Sequence, residues 1–163
     1  MRRTEIISQK ILTLPDLLRQ IHRWRLMSKT ISFTNGCFDI LHLGHLFSLS
    51  QAANEADYLI VGVNADKSVR KLKGENRPVN SEKTRSQLLA SFLMVDAVII
   101  FDQDTPLELI SAILPDVLVK GGDYTVDEIV GAKEVIGNGG KVVINPILEG
   151  YSTSELIQKI HRL

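Results

Sequence analysis

The chain has 163 residues, 44% hydrophobic and 23% charged, with 19 Lys and Arg against 19 Asp and Glu, so its formal net charge is zero. That length and balance describe one globular domain around one core, and neutrality removes the broad attraction that drives non-specific binding to nucleic acid or anionic membrane. The single cysteine, Cys37, excludes an internal disulfide and a multi-cysteine zinc site, a usage that suits a reducing cytosol.

Arg2 and Arg3 begin the chain as a signal peptide would, but Glu5, Lys10 and Asp16 interrupt any apolar core behind them. Leu14, Leu17, Leu18, Ile21 and Trp24 share one helical face, which predicts an N-terminal helix inside an extension over 1–29. Its arginines Arg19, Arg23 and Arg25 are expected in solvent. It is expected to pack on its own domain or on a second copy.

From there, short β-branched runs alternate with amphipathic stretches. Strands are predicted at Thr30–Thr34, Tyr58–Asn64, Ala97–Phe101, Val117–Lys120 and Lys141–Asn145, and helices at 45–56, 81–94, 105–114, 126–137 and 152–162. Thr105-Pro106-Leu107-Glu108 and Ser152-Thr153-Ser154-Glu155 read as capping boxes, and Gly137 to Gly140 as a helix stop. The uncharged run Ser86–Val95 is too short to cross a membrane and ends at Asp96. Strands separated by helices of this length predict right-handed βαβ units. The expected fold is a single α/β domain, a Rossmann-like, doubly wound, five-stranded parallel sheet over 30–163 with an extra N-terminal helix.

Ligands of such sheets bind beyond the carboxyl ends of the strands, where the strand order reverses. The first predicted strand is followed by Asn35-Gly36-Cys37-Phe38-Asp39-Ile40-Leu41-His42-Leu43-Gly44-His45 and then a helix. Gly36 is expected to let the backbone approach a ligand. Gly44 is expected to leave open space at the helix N-terminus, whose free N–H groups and dipole attract phosphate. His42 and His45 are spaced to reach the same anion. Core or capping histidines and a shared metal ion are the rival readings. For a metal, only Asp39 and Cys37 stand nearby as further ligands.

These residues resemble the HxGH nucleotidyltransferases, the cytidylyltransferase-like family, and the resemblance runs from about Ile31 to the last helix. Class I aminoacyl-tRNA synthetases share the histidine motif but carry a lysine signature far downstream, and this chain is too short for one. Three further segments strengthen the likeness: Arg70 to Asn80 after the second strand, Lys120-Gly121-Gly122-Asp123-Tyr124 after the fourth, and Glu149-Gly150-Tyr151-Ser152-Thr153-Ser154 opening the last helix. Together they look most like the adenylyltransferases that make ADP-heptose from heptose 1-phosphate for lipopolysaccharide. That domain is often fused to a sugar kinase, for which this chain has no room, so a separate kinase is expected to supply the substrate.

The resemblance implies roles residue by residue. His45 and His42 would donate to phosphate, and Lys73, with Lys71 as second candidate, would neutralise a triphosphate from a flexible loop. Gly36, Cys37, Phe38, Gly44 and the N–H groups of Ser152, Thr153 and Ser154 would hold the phosphates. Lys120, Gly121, Asp123 and Tyr124 would line the nucleoside pocket. Asp39, Arg77 and Arg85 would contact the acceptor. Mg²⁺ would arrive with ATP, and no metal site of the protein's own is expected. Two departures stand out. Cys37 replaces a hydroxyl residue, so its phosphate contact would come from backbone. Ile147 stands where cytidylyltransferases carry arginine, which weakens a cytidine reading. The expected activity is AMP transfer from ATP to a sugar 1-phosphate in the cytoplasm, without nucleic-acid or membrane partners; family members are often oligomers. The alternatives are a cytidylyltransferase acting on glycerol 3-phosphate and a non-catalytic nucleotide-binding module.

Overall fold

The structure, a computed structural model, describes residues 5–148 and 150–162. Arg2, Arg3 and Glu149, named above, lie outside the described residues. Five strands, β1 (Ile31–Gly36), β2 (Tyr58–Asn64), β3 (Ala97–Phe101), β4 (Val117–Gly121) and β5 (Lys141–Asn145), form one sheet in the order β3-β2-β1-β4-β5. Every pairing is parallel, with Ile31 opposite Tyr58, Ile60 opposite Ala97, Ser32 opposite Val117 and Val117 opposite Lys141. The order reverses between β1 and β4, so the switch point lies at their carboxyl ends.

Side chains alternate across each strand, and both faces are covered. Ile31, Phe33, Ile60, Ile99 and Leu118 face α2 (Leu14–Leu26), α6 (Leu107–Ile113) and α7 (Ala132–Gly137). Leu59, Val61, Val63, Val98 and Val119 face α3 (Leu43–Ala53) and α5 (Glu82–Ala90). Helix α2 packs on the sheet of its own chain through Leu17, Ile21 and Trp24. Trp24 stacks on Tyr58 with ring centroids 4.2 Å apart. Burying each such side chain is worth about 1.5–3 kcal/mol. Arg25 is exposed, as expected, and also donates to Ile113 O at 3.0 Å and Leu114 O at 2.6 Å, closing the end of α6.

Several boundaries differ from expectation. β1 runs two residues further, to Gly36. Two unforeseen helices appear, α1 (Glu5–Gln9) and α4 (Asp66–Lys73). The helix expected over 126–137 is a 3₁₀ turn, Val126–Glu128, followed by α7. The break falls at Gly131, with φ +87, where a Cβ would lie 2.7 Å from Ile110. Neither expected capping box forms. Pro106 occupies the cap of α6, which shifts the first turn one residue away from Thr105. In α8 (Thr153–His161) the Ser152 hydroxyl makes no cap hydrogen bond. A capping box does form at Thr125 and Glu128.

Candidate active site

The histidine motif occupies the turn from β1 into α3. Phe38, at φ +50, reverses the chain and places its ring beside Gly36, where a Cβ would lie 3.2 Å from it. Gly36 therefore makes room for Phe38 and not, as expected, for a ligand. Gly44 does not open space either. A Cβ there would meet the His42 ring at 3.0 Å and Tyr151 Cβ at 3.1 Å, so glycine lets the imidazole fold over the helix N-terminus. His42 caps α3 without a side-chain cap bond. Its ring lies 3.9 Å from that of His45, tilted by 31°, and Phe38 lies 5.5 Å from His45.

Both Nδ1 atoms of this pair are buried and hydrogen-bond to nothing in the described residues. Burial lowers the His42 pKa. Burial, and then the neighbouring His42, push His45 down to about 4. Both rings are therefore neutral at pH 7, each with one N–H, at the positive end of α3. Buried polar atoms without partners are rare. Here they leave the pair short of hydrogen-bond partners at a cleft of about 500 Å³.

A second wall is tied to this loop through Asp39. Its carboxylate is 2% exposed and accepts from Arg77 Nε at 2.6 Å, Val79 N at 2.9 Å and Asn80 N at 2.8 Å. Asn80 Nδ2 returns a bond to Asp39 O at 2.8 Å. Asp39 thus orients Arg77 at the cleft; its oxygens are already taken up by protein donors, so it is no free acceptor contact. Lys73 lines the cleft from the last turn of α4, a helix and not a flexible loop. Lys71, two residues earlier, is drawn away to an exposed pair with Asp104 at 2.6 Å.

Arg85, expected at the acceptor, does not line the cleft. It is fully buried and donates to Asn80 O at 3.0 Å, Asn64 O at 2.7 Å, Asp66 Oδ1 at 2.8 Å and Cys37 O, fastening the ends of β1 and β2 together. Cys37 lines the cleft half-buried, and burial raises its thiol pKa.

The opposite wall comes from Pro146, Ile147 and Leu148 after β5, then Tyr151 to Ser154 entering α8. Thr153 Oγ1 donates to Ile40 O at 3.4 Å, joining this wall to the histidine loop. Gly121 lines the cleft at the end of β4. Lys120 is turned inward, donating to Asn35 Oδ1 at 3.3 Å, and burial lowers its pKa. Asp123 and Tyr124 are exposed beyond the cleft lining.

The cytidylyltransferase-like family model matches residues 33–159, which include every wall of this cleft. The chain belongs to the cytidylyltransferase-like family. It is a nucleotidyltransferase with that family's α/β fold. Among curated relatives, the bifunctional protein HldE of Koribacter versatilis (strain Ellin345) is 53% identical over 156 residues, 96% of this chain and 32% of that protein. The bifunctional protein HldE of Caulobacter vibrioides is 54% identical over 143 residues, 88% of this chain and 30% of that protein. The chain thus spans about a third of the length of these relatives. A lipopolysaccharide core biosynthesis protein from Thermoplasma volcanium GSS1 matches with TM-score 0.59 and 27% identity over 76% of this chain and 99% of that one. A pantoate-β-alanine ligase from Francisella tularensis, at TM-score 0.54 and 17% identity, shares the fold.

Within this nucleotidyltransferase, three cleft residues carry no motif signal: Ser48, Pro146 and Leu148. Ser48 was findable, since it lies one turn after His45 on the same helical face. Pro146 and Leu148 lie in irregular chain whose course no periodicity announces. Among the described residues no group of three His, Cys, Asp or Glu side chains is placed to hold a metal. Asp39, the one carboxylate among the described lining residues, is committed to protein donors.

Proposed function

We propose that the chain transfers AMP from ATP to a sugar 1-phosphate, D-glycero-β-D-manno-heptose 1-phosphate, giving ADP-heptose and pyrophosphate for lipopolysaccharide core synthesis. The observation that carries nucleotidyl transfer is the neutral His42–His45 pair at the N-terminus of α3, with buried Nδ1 atoms lacking partners, in one cleft with Lys73 and Arg77. The heptose assignment is supported by likeness to relatives named HldE and to a protein named for lipopolysaccharide core biosynthesis.

A sugar-phosphate oxygen attacks the α-phosphorus of ATP, forming one P–O bond as the bond to the bridging oxygen breaks, and pyrophosphate leaves with that electron pair. A phosphate monoester near neutral pH is already an anionic nucleophile, so the protein needs to supply alignment and relief of charge, not a covalent nucleophile. His45 and His42 donate to the α-phosphate or bridging oxygen, Lys73 neutralises the triphosphate, and the first N–H groups of α8 hold the outer phosphates. Arg77, oriented by Asp39, faces the acceptor phosphate. Mg²⁺ accompanies ATP as part of the substrate, in keeping with a cleft whose described carboxylate is already satisfied. A sugar kinase activity supplies the sugar phosphate, and the reaction takes place in the cytoplasm, where ATP is available.

The deciding experiment is pyrophosphate release with Mg²⁺, crossing ATP and CTP against β-heptose 1-phosphate, glycerol 3-phosphate and phosphopantetheine. Release confined to ATP and the heptose is the expected result. Release with CTP and glycerol 3-phosphate keeps the mechanism and overturns the substrates. ATP binding with no release from any acceptor overturns the enzyme in favour of a binding module.

A further inference from the structure

Among the described residues the His42 ring is held by packing, not by hydrogen bonds. It caps α3 without a side-chain cap bond, and its buried Nδ1 finds no partner. Hydrogen bonds are directional and would fix the imidazole in one orientation. Without them, only its neighbours stop the ring from turning. Two of these are the bare backbone of Gly44 and the His45 ring, 3.9 Å away. The third comes from the opposite wall. A Cβ on Gly44 would lie 3.0 Å from His42 Cε1 and Nδ1 and 3.1 Å from Tyr151 Cβ, so imidazole and tyrosine share the space above one glycine.

Tyr151 precedes Ser152, the cap of α8, and lines the cleft at 42% exposure. An exposed tyrosine needs no explanation by itself. One placed against an imidazole that lacks hydrogen bonds does. The other link between these walls, Thr153 Oγ1 to Ile40 O, is long at 3.4 Å and therefore weak. Along α8, Leu156 and Ile157 are only half-buried and Ile160 is exposed. The segment that offers its first N–H groups to the outer phosphates thus also presses on the ring that donates at the α-phosphate.

We infer that Tyr151 is a positioning residue: it packs over Gly44 against the His42 imidazole and sets the orientation of that ring. The inference rests on the proposed nucleotidyl transfer, in which His42 donates to phosphate. The aromatic body suffices for this role, without the hydroxyl. Its effect falls on turnover, because a slightly misplaced donor costs rate more than it costs binding. Burial alone lowers the His42 pKa; Asp39, Lys73 and Arg77, the charged groups lining the same cleft, do not contribute. His45, the titratable ring beside it, is itself lowered by His42. Loss of the tyrosine ring therefore registers as more water at His42.

The test joins a histidine NMR titration to steady-state kinetics on the whole chain, comparing wild type, Tyr151→Ala, Tyr151→Phe and, to assign the resonance, His42→Gln. Because Tyr151 is largely at the surface, removing its ring leaves the core intact. Tyr151→Ala is expected to raise the His42 midpoint toward the ordinary histidine value. It is also expected to lower kcat by about tenfold while changing the KM for ATP by about twofold or less. Tyr151→Phe is expected to restore both the titration and kcat. An unmoved His42 midpoint in Tyr151→Ala overturns the inference. So does a loss confined to the KM for ATP, which would make Tyr151 a substrate contact, or a defect in Tyr151→Phe as deep as in Tyr151→Ala. Wild-type protein that releases no pyrophosphate from any acceptor refutes the proposed reaction, and the titration then decides by itself whether Tyr151 orients His42.

Discussion

Arg77 Nε donates to Asp39 Oδ2 at 2.6 Å, so a residue from the loop before α5 is aimed into the cleft by the loop that carries the histidines. Burial pushes the Asp39 carboxyl up, but the N–H groups of Asn80 and Val79 and the Arg77 guanidinium together hold it below its ordinary value. Removing one member of a buried charged pair typically costs about 3–5 kcal/mol. Asp39→Ala is expected at the lower end of that range in urea unfolding, because Arg77 retains some access to water. Its stabilising effect is present at pH above the ordinary carboxyl value and is lost as pH falls through the lowered folded value. A variant as stable as wild type would show that the two loops hold together without this pair.

Lys73 and Lys71 sit two residues apart on α4 but face different surroundings. Lys71 is spent on Asp104 in a surface pair worth at most about 1 kcal/mol, whereas Lys73 lines the cleft. Lys73→Ala is expected to raise the KM for ATP by about tenfold or more, the loss of one charge-assisted contact, and Lys71→Ala to leave it within about twofold. Steady-state kinetics with varied ATP decides between them; a worse defect in Lys71→Ala would exchange their roles.

His45→Ala removes a preorganised donor to charge developing at phosphorus and is expected to lower turnover by ~10²–10³. Circular dichroism should be unchanged, since His45 lines the cleft and packs only in part against the core. A loss smaller than tenfold would remove the histidine from the reaction.

The depressed His45 also makes stability depend on pH. Its folded value is about 4, against about 6.5 when unfolded. Above pH 6.5 neither state is protonated, so the native state keeps its full advantage. Between pH 6.5 and 4 the unfolded chain binds the extra proton, and stability falls as pH drops. Urea midpoints at pH 7 and pH 5 should differ more for wild type than for His45→Gln. Equal differences would mean that His45 titrates normally in the folded protein.

Much of this architecture was legible because a parallel sheet is buried on both faces. β2, β3 and β5 appear as short runs rich in β-branched residues, and their observed limits coincide with the expected ones. Helix α4 was not legible: DKSVRKLK buries one apolar residue, Val69, and so has no apolar stripe to betray it. Within the cleft, the histidines stood out because they bracket a glycine at a strand-to-helix turn. Arg85 misled for the opposite reason. An arginine on a polar helix suggests a ligand contact, and only the convergence of Cys37, Asn64, Asp66 and Asn80 on it accounts for its burial.

The segment before α2 bears on the free margin of the sheet. Lys10 O accepts from Val98 N at 2.8 Å and Leu12 N donates to Val98 O at 2.9 Å, so three residues lie along the outer margin of β3. An uncovered strand margin is a template for pairing with other chains. A chain shortened to begin at Leu14 would therefore present β3 to its neighbours, and light scattering on concentrated samples should register more self-association than for the longer chain.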